Sequence, residues 1–263
     1  MKKQVKRKAS KAIRKKTAAA KPETQTANRL VCLLGDEHLV KEYSALFQSY
    51  GIPVLELKNL ASLKTSAKKI SIAFELSLES SETKIHNVKT LDEVLEPSIP
   101  ILSSSITSTV LSQAQSLRNK ERLTGIAAFP TLVENKLVEI APSLYTSTVI
   151  AEKITSFFAN AKKETAIIED SVGMVMPRIL CQIINEALFT VQNDVANPKD
   201  IDTAMKLGTN YPHGPIEWGE KIGFKNIVAV LDALYKNHGE ERYRVAPLLR
   251  QMAVAGTFWK AKE

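Results

Sequence analysis

A change of pattern near residue 170 limits how this chain can fold. Before it, short apolar segments alternate with stretches of helical periodicity, whereas from Ser171 onward only helical patterns occur. Alternating strands and helices predict a parallel sheet covered by helices, and the second half predicts a helical domain. We therefore expect a basic tail at 1–28, an α/β domain at 29–169 and an all-helical domain at 170–263.

The α/β half opens with an apolar run, an amphipathic helix and a second apolar run, at Arg29–Leu34, His38–Tyr50 and Ile52–Leu57. This order predicts a β-α-β unit, the start of a doubly wound sheet. A polar segment around His86 reads as a loop. Five more strands are expected at Ile70–Phe74, Ile99–Leu102, Gly125–Phe129, Leu137–Ile140 and Thr165–Ile168, with helices at Thr107–Leu117 and Thr146–Lys162.

The helical half begins with a wide apolar stripe from Ile179 to Val191, which predicts a long buried helix. The next helix has Asn197 as its N-cap and Pro198 at its first position, and we expect Gly208 just past its end. Two more helices are expected at Phe224–Tyr235 and Val245–Ala255.

Basic charge is concentrated at the N-terminus. Residues 1–21 hold ten of the 36 Lys and Arg residues and no acid, so the rest has 26 basic against 28 acidic residues. Such a segment is typical of a disordered tail. Two interpretations stay open: a solubilising extension, or a weak, salt-sensitive contact with nucleic acid or an anionic surface.

The remaining composition points to a cytoplasmic protein. Cys32 and Cys181 lie in apolar segments and read as buried thiols, and no apolar run approaches the length of a membrane span. The four histidines, His38, His86, His213 and His238, show no metal-ligand spacing, so no metal site is expected. We expect His213, in a turn, to make a local hydrogen bond.

Four segments resemble the 3-hydroxyacyl-CoA dehydrogenases. The most specific is "PKDIDTAMKLGTNYPHGPIEWGEKIG" (198–223), preceded by "DSVGMVMPRILCQIINEALF" (170–189). "RLVCLLG" (29–35) and "GIAAFPTLVENKLVEIAPS" (125–143) match the cofactor-binding domain more weakly. The resemblance implies a reduced Rossmann-like α/β domain, followed by a helical domain like the C-terminal domain of 6-phosphogluconate dehydrogenase, and a homodimer formed through the helical domain.

In such enzymes NAD takes a hydride from a 3-hydroxyacyl-CoA, while a His held by a Glu removes the proton and a Ser and an Asn orient the substrate oxygen. Ala127 stands where the His is expected, and Pro177 stands at the Asn. The Ser position falls on Ile106, Thr107 or Ser108. Only Glu139 is clearly retained.

The cofactor fingerprint is also depleted. Of its three glycines only Gly35 remains, because Glu37 and Val40 occupy the other two positions. Asp36 and Glu37 would together place two carboxylates at the pyrophosphate position. The repulsion between one carboxylate and one phosphate charge 4 Å apart costs about 4 kcal/mol. Lys58 replaces the acid that binds the ribose. The cofactor prediction is therefore none, or NAD if the family activity is retained.

The segment Leu57–Ile70 is too short for the helical arm with which the family holds coenzyme A. Two hypotheses follow. The first is a catalytically degenerate homologue that dimerises, pairs with an active paralogue or binds an acyl-CoA. The alternative is an active NAD(P)-dependent 3-hydroxyacyl-CoA dehydrogenase of fatty-acid metabolism with an atypical site.

Overall fold

A seven-stranded sheet forms the first half of the chain. The computed structural model describes residues 30–79 and 82–256. The strands are β1 (Leu30–Leu34), β2 (Val54–Glu56), β3 (Ile70–Glu75), β4 (Ile101–Ser104), β5 (Leu123–Ile126), β6 (Leu137–Pro142) and β7 (Glu164–Ile167), in the order β2-β1-β3-β4-β5-β6-β7. Strands β1 to β5 are parallel, β6 is antiparallel to β5, and β7 is parallel to β6.

Helices cover the sheet and then form a layer of their own. Those of the first half are α1 (Glu37–Ser49), α2 (Leu63–Ser66), α3 (Glu82–Val94), α4 (Val110–Ala114) and α5 (Thr148–Asn160). Those of the second half are α6 (Met176–Gln192), α7 (Pro198–Thr209), α8 (Pro215–Ile222), α9 (Phe224–His238) and α10 (Pro247–Ala255). The expected Rossmann-like sheet followed by a helical domain is confirmed. None of the described helices is long and apolar enough to cross a membrane.

The expected strands and helices are all present, with bounds that shift by up to a few residues. The short connection in place of a long arm is confirmed as well, because β2 and β3 are joined only by α2 and single 3-10 turns at Leu60–Ser62 and Ala67–Lys69. The predicted basic tail, 1–28, and the end of the predicted second domain, 257–263, lie outside the described residues.

The loop expected around His86 was wrong, because these residues belong to α3. This helix fully buries only two apolar side chains, Val88 and Leu91, and it also buries Lys84 and Asp92. Helical periodicity is recognised from apolar residues. A helix that buries charged groups therefore does not show the pattern.

The end expected for α7 was also wrong. Gly208 lies inside the last turn, and Asn210 takes the left-handed conformation that ends the helix, with φ +56°. Asparagine adopts this conformation more readily than other non-glycine residues, so it can replace the usual C-terminal glycine.

A buried ion pair ties α3 to the start of β5. The Arg122 side chain is fully buried, and its guanidinium lies 2.7 Å from the Asp92 carboxylate and donates to the Leu95 carbonyl at 3.1 Å. The same carboxylate accepts from the backbone N–H of Arg118 at 2.8 Å. These bonds hold the pKa of Asp92 below its ordinary value, against the opposing effect of burial.

Candidate functional site

A cleft lies at the carboxyl ends of β1, β2 and β3. The chain continues from β1 to β2 on one side of the sheet and from β3 to β4 on the other, so the strand order reverses between β1 and β3. Ligands bind at such a reversal in open α/β sheets. The cleft has a volume of about 600 Å³, within the usual range of ligand sites. It is lined by Gly35, Asp36, Lys58, Asn59, Ser77, Glu79, Thr83 and Asn87, and from the helical domain by Lys225 and Asn226.

Gly35 is required here by packing alone. Its φ is +122°, and a Cβ added to it would lie 2.5 Å from the Ser77 backbone nitrogen and 2.6 Å from the Leu76 carbonyl carbon. No side chain can occupy that space, because the turn after β1 touches the backbone that follows β3. Retention of this glycine is thus explained without a cofactor.

The two carboxylates after Gly35 take different positions. Asp36 lines the cleft, and its carboxylate accepts from the Leu78 backbone N–H at 2.7 Å. The Glu37 carboxylate instead lies on the exposed surface of α1, 2.5 Å from the Lys41 ammonium, whose hydrogen bond lowers the pKa of Glu37. The charge of Glu37 therefore lies on the helix surface, and of these two carboxylates only that of Asp36 lines the cleft.

These residues do not reproduce a glycine cradle for a pyrophosphate. The N-terminus of α1 has Asp36 as its N-cap residue and Glu37 as its first residue, two acids at the end of the helix that would otherwise attract a phosphate. Val40, at the third glycine position, is a buried residue of α1. The cleft is open, and Glu37 and Val40 stand at the positions of the second and third glycines.

A buried ionic network lies beneath the cleft, and no sequence pattern indicated it. The Lys84 ammonium lies 2.6 Å from the Glu75 carboxylate and donates to the Ser77 carbonyl at 2.7 Å. The Ser77 hydroxyl and the Asn87 amide donate to the same carboxylate at 2.5 and 3.2 Å. Burial lowers the pKa of Lys84. Because α3 was expected to be a loop, no inward position was assigned to Lys84.

The lysine at the ribose position, Lys58, is exposed at the rim of the cleft. On the opposite rim Lys225 lies 3.5 Å from the Glu79 carboxylate. The rim therefore alternates in charge, with Lys58 and Lys225 against Asp36 and Glu79.

Ala127, directly after β5, lies beside Glu139 in β6. The Ala127 N–H donates to the Glu139 carbonyl at 3.2 Å, so the alanine stands beside the retained acid and has no group that could move a proton. Glu139 is 6% exposed, and its two carboxylate oxygens accept from the N–H groups of Val175 and Met176 at 2.9 and 2.8 Å. The carboxylate therefore binds the start of α6 and joins the two domains.

Pro177 follows in the first turn of α6, where it is buried and where its missing N–H costs nothing. The three candidates for the family Ser also separate. Ile106 is buried, Ser108 accepts from the Gln113 amide at 3.1 Å, and Thr107 donates to the carbonyl of Leu78, a residue of the cleft. Of the three residues, Thr107 is the one whose side chain bonds to the wall of the cleft.

The most specific motif of the chain is structural. The Asp202 carboxylate of α7 accepts from the N–H groups of Ile216 and Glu217 at 2.8 and 3.0 Å, which caps α8. A Cβ on Gly214 would lie 2.3 Å from the Asp202 side chain, so glycine is needed there. The motif from Asp202 to Gly214 thus fixes how two helices meet.

His213 makes the local contact expected of it. Its Nδ1 lies 2.9 Å from the Glu217 carboxylate, and its ring lies across Trp218 at 5.7 Å between centroids. Hydrogen bonds, first from Lys221 and then from His213, lower the pKa of Glu217 to about 2. Among the residues that the structure describes, no group of three or more His, Cys, Asp or Glu side chains could hold a metal ion.

The sheet with its switch-point cleft, followed by the helical domain, is the architecture of nicotinamide-dependent dehydrogenases with a helical second domain. The family model "3-hydroxyacyl-CoA dehydrogenase, C-terminal domain" matches residues 173–263, and "3-hydroxyacyl-CoA dehydrogenase, NAD binding domain" matches residues 45–171. This chain belongs to the 3-hydroxyacyl-CoA dehydrogenase family.

Individual relatives agree with this assignment. A probable 3-hydroxybutyryl-CoA dehydrogenase of Bacillus subtilis (strain 168) is 32% identical over 198 residues, which cover 75% of this chain and 68% of that protein. The 3-hydroxyadipyl-CoA dehydrogenase of Escherichia coli (strain K12) is 42% identical over 119 residues, 45% of this chain and 25% of that protein. The crystal structure of (S)-3-hydroxybutyryl-CoA dehydrogenase from Ralstonia eutropha superposes with a TM-score of 0.72 at 25% identity, covering 88% of this chain and 95% of that one.

Proposed function

We propose that this chain is a catalytically degenerate member of its family, which does not perform the hydride transfer named in its relatives. The observation that carries the proposal is the pair Ala127 and Glu139. Ala127 cannot accept a proton at the base position, and both oxygens of Glu139 are engaged by backbone N–H groups of α6. Neither residue is available to act as the general base or to orient one.

We extend the proposal to the cofactor, and expect the chain not to bind NAD through the usual cradle. Three observations support this. Packing alone accounts for Gly35. Asp36 brings a carboxylate to the phosphate end of the cleft. The match to the NAD-binding model begins at residue 45, beyond the whole glycine segment.

We propose that the retained helical domain serves association, either as a homodimer or with an active paralogue in the cytoplasm. Half of the apolar stripe of α6 is buried in the domain core, but Ile179 is 51% exposed and Ile183, one turn later, is half-buried. Val175 adds a second exposed apolar side chain near the start of α6. Exposed apolar surface of this kind is typical of protein interfaces. An acyl-CoA partner remains part of the proposal, without the long arm of the family.

The second candidate is an active NAD(P)-dependent dehydrogenase with an atypical site. The observation in its favour is the open cleft of about 600 Å³ at the switch point, where Lys58 could face a nucleotide phosphate. The relatives named above are dehydrogenases, which makes this the alternative to test first.

The two candidates differ in cofactor binding. Purified protein is titrated with NADH and with NADPH while nucleotide fluorescence is followed, and NADH oxidation is then measured with acetoacetyl-CoA. The Ralstonia eutropha enzyme is the positive control. We expect neither a saturable fluorescence change nor acetoacetyl-CoA-dependent oxidation. Saturable binding at micromolar nucleotide together with turnover favours the second candidate.

The association proposal has its own test in light scattering after size exclusion. Ile179→Lys should shift the chain toward monomer, because a charge is placed in the apolar face of α6. Leu144→Lys is the matched control, since Leu144 is also exposed but lies in the first domain. A monomeric parent, or a dimer that Ile179→Lys leaves intact, contradicts association through α6.

A further inference from the structure

A second cavity lies beside Ala127, on the side of the sheet covered by α1 and α5. Its volume is about 330 Å³. That is roughly twice the ~150 Å³ at which an apolar cavity holds a benzene-sized guest. Its wall is mostly apolar, and Asn135 and Lys136 lie exposed at its mouth. The apolar lining includes Leu46, Leu132, Val138, Phe158 and Met176.

The Tyr43 hydroxyl is a polar group at this cavity that has no hydrogen-bond partner among the described residues. Tyr43 is 3% exposed, and its hydroxyl makes no hydrogen bond to any residue in 30–79 or 82–256. Burial raises the pKa of Tyr43, so the group is a neutral hydroxyl that can donate or accept. The hydroxyl oxygen remains accessible to solvent, so a guest in the open cavity can reach it and replace water as its hydrogen-bond partner.

The walls select for aromatic character. Tyr43 belongs to a cluster of tilted and edge-on rings with centroids 5.2 to 6.1 Å apart; its other members are Phe47, Phe74, Phe157 and Phe158. Two of these rings, Tyr43 and Phe158, form part of the wall. An aromatic guest can extend the same edge-to-face arrangement.

Charge is selected against. Glu139 also lines the cavity, and its buried carboxylate repels a second anion in an apolar setting. The described lining of the cavity offers a cation no free carboxylate, because both Glu139 oxygens already accept hydrogen bonds from the backbone of α6. A neutral molecule is what remains.

We propose that the cavity at Ala127 is a binding site for a small neutral aromatic molecule with a single hydroxyl or carbonyl group, which hydrogen-bonds to the Tyr43 hydroxyl. The site is separate from the cleft at Gly35, and the two share no lining residue. It does not depend on whether the chain is catalytically degenerate. Occupancy would place the guest against Met176, in the first turn of α6, and so next to the domain junction.

The test uses three probes of similar size: phenol, toluene and benzoate. Their binding to the full chain is measured by the shifts of methyl and amide NMR signals and by isothermal titration. We expect phenol to bind with millimolar affinity or better and about three- to tenfold more tightly than toluene, the difference that one added hydrogen bond gives. Benzoate should bind least.

Two variants locate the site. Tyr43→Phe removes only this hydroxyl, so it should fold as the parent does and lose the preference for phenol over toluene. Ala127→Leu places three more carbon atoms into the cavity and should weaken both neutral probes. A phenol preference that survives Tyr43→Phe overturns the proposal, as does absence of phenol binding to the parent. Benzoate binding more tightly than phenol overturns the assignment to a neutral ligand. If Ala127→Leu does not fold, Tyr43→Phe decides the question by itself.

Discussion

Removal of the Glu139 carboxylate should destabilise the protein even if no chemistry depends on it. The carboxylate is almost completely buried and accepts two hydrogen bonds, from Val175 and Met176, at the N-terminus of α6. In Glu139→Ala both N–H groups lose their acceptor, and α6 loses the negative charge at the positive end of its dipole.

The magnitude follows from these contacts. A hydrogen bond to a charged group contributes about 1.5–3 kcal/mol, and loss of a helix cap costs about 0.5–2 kcal/mol. The hydrogen bonds and the helix cap are the same contacts here, so the two values are not added. Water can bond to part of the backbone that the substitution exposes, which reduces the loss. We therefore expect Glu139→Ala to lower the free energy of unfolding by about 2–4 kcal/mol, a large share of the ~5–15 kcal/mol of a typical domain.

Urea denaturation followed by circular dichroism measures this loss. Glu134→Ala is the matched control, because Glu134 is exposed on the preceding loop and should change the free energy of unfolding by less than about 0.5 kcal/mol. Glu139→Gln keeps one acceptor oxygen and should fall between the two. A Glu139→Ala protein as stable as the control would refute the view that this acid joins the domains.

Three more perturbations have expected outcomes. Gly35→Ala should cost about 2 kcal/mol or more in urea unfolding, because its Cβ would lie 2.5 Å from backbone at a φ of +122°; an unchanged midpoint contradicts the close approach. Arg122→Met should cost about 3 kcal/mol by leaving a buried carboxylate unpaired, and thermal unfolding no different from the parent contradicts it. Glu217→Gln tests the lowered pKa, which is held by the hydrogen bond from Lys221. The stability from Glu217 is present above its ordinary pKa of 4.5 and is lost as pH falls toward about 2, so parent and variant should converge over that range; a constant difference refutes the assignment.

Apolar strands and capped helices could be predicted from sequence, because the burial of one face produces a periodic pattern of apolar residues. The strand from Leu30 to Leu34 and the start of α7 at Asn197 and Pro198 are examples. The helix α3 could not be predicted, because it buries Lys84 and Asp92, whose partners come from distant strands and loops.

The candidate site shows the same division. The alanine at the expected base position, Ala127, and the single glycine Gly35 are visible in the residues themselves. The direction of a side chain is not, which is why the Glu37 carboxylate was expected in the cleft and lies against Lys41 on the surface. The bond of Glu139 to the start of α6 joins positions 36 and 37 residues apart, and no local pattern reports it.

The most direct test of the central claim is a crystal of this protein grown with millimolar NAD and 3-hydroxybutyryl-CoA. The account predicts a cleft without nucleotide density at the turn of Gly35 and Asp36, and an unchanged bond between Glu139 and Met176. A dinucleotide seated against Asp36 and the start of α1, with its nicotinamide directed toward Ala127, would contradict it.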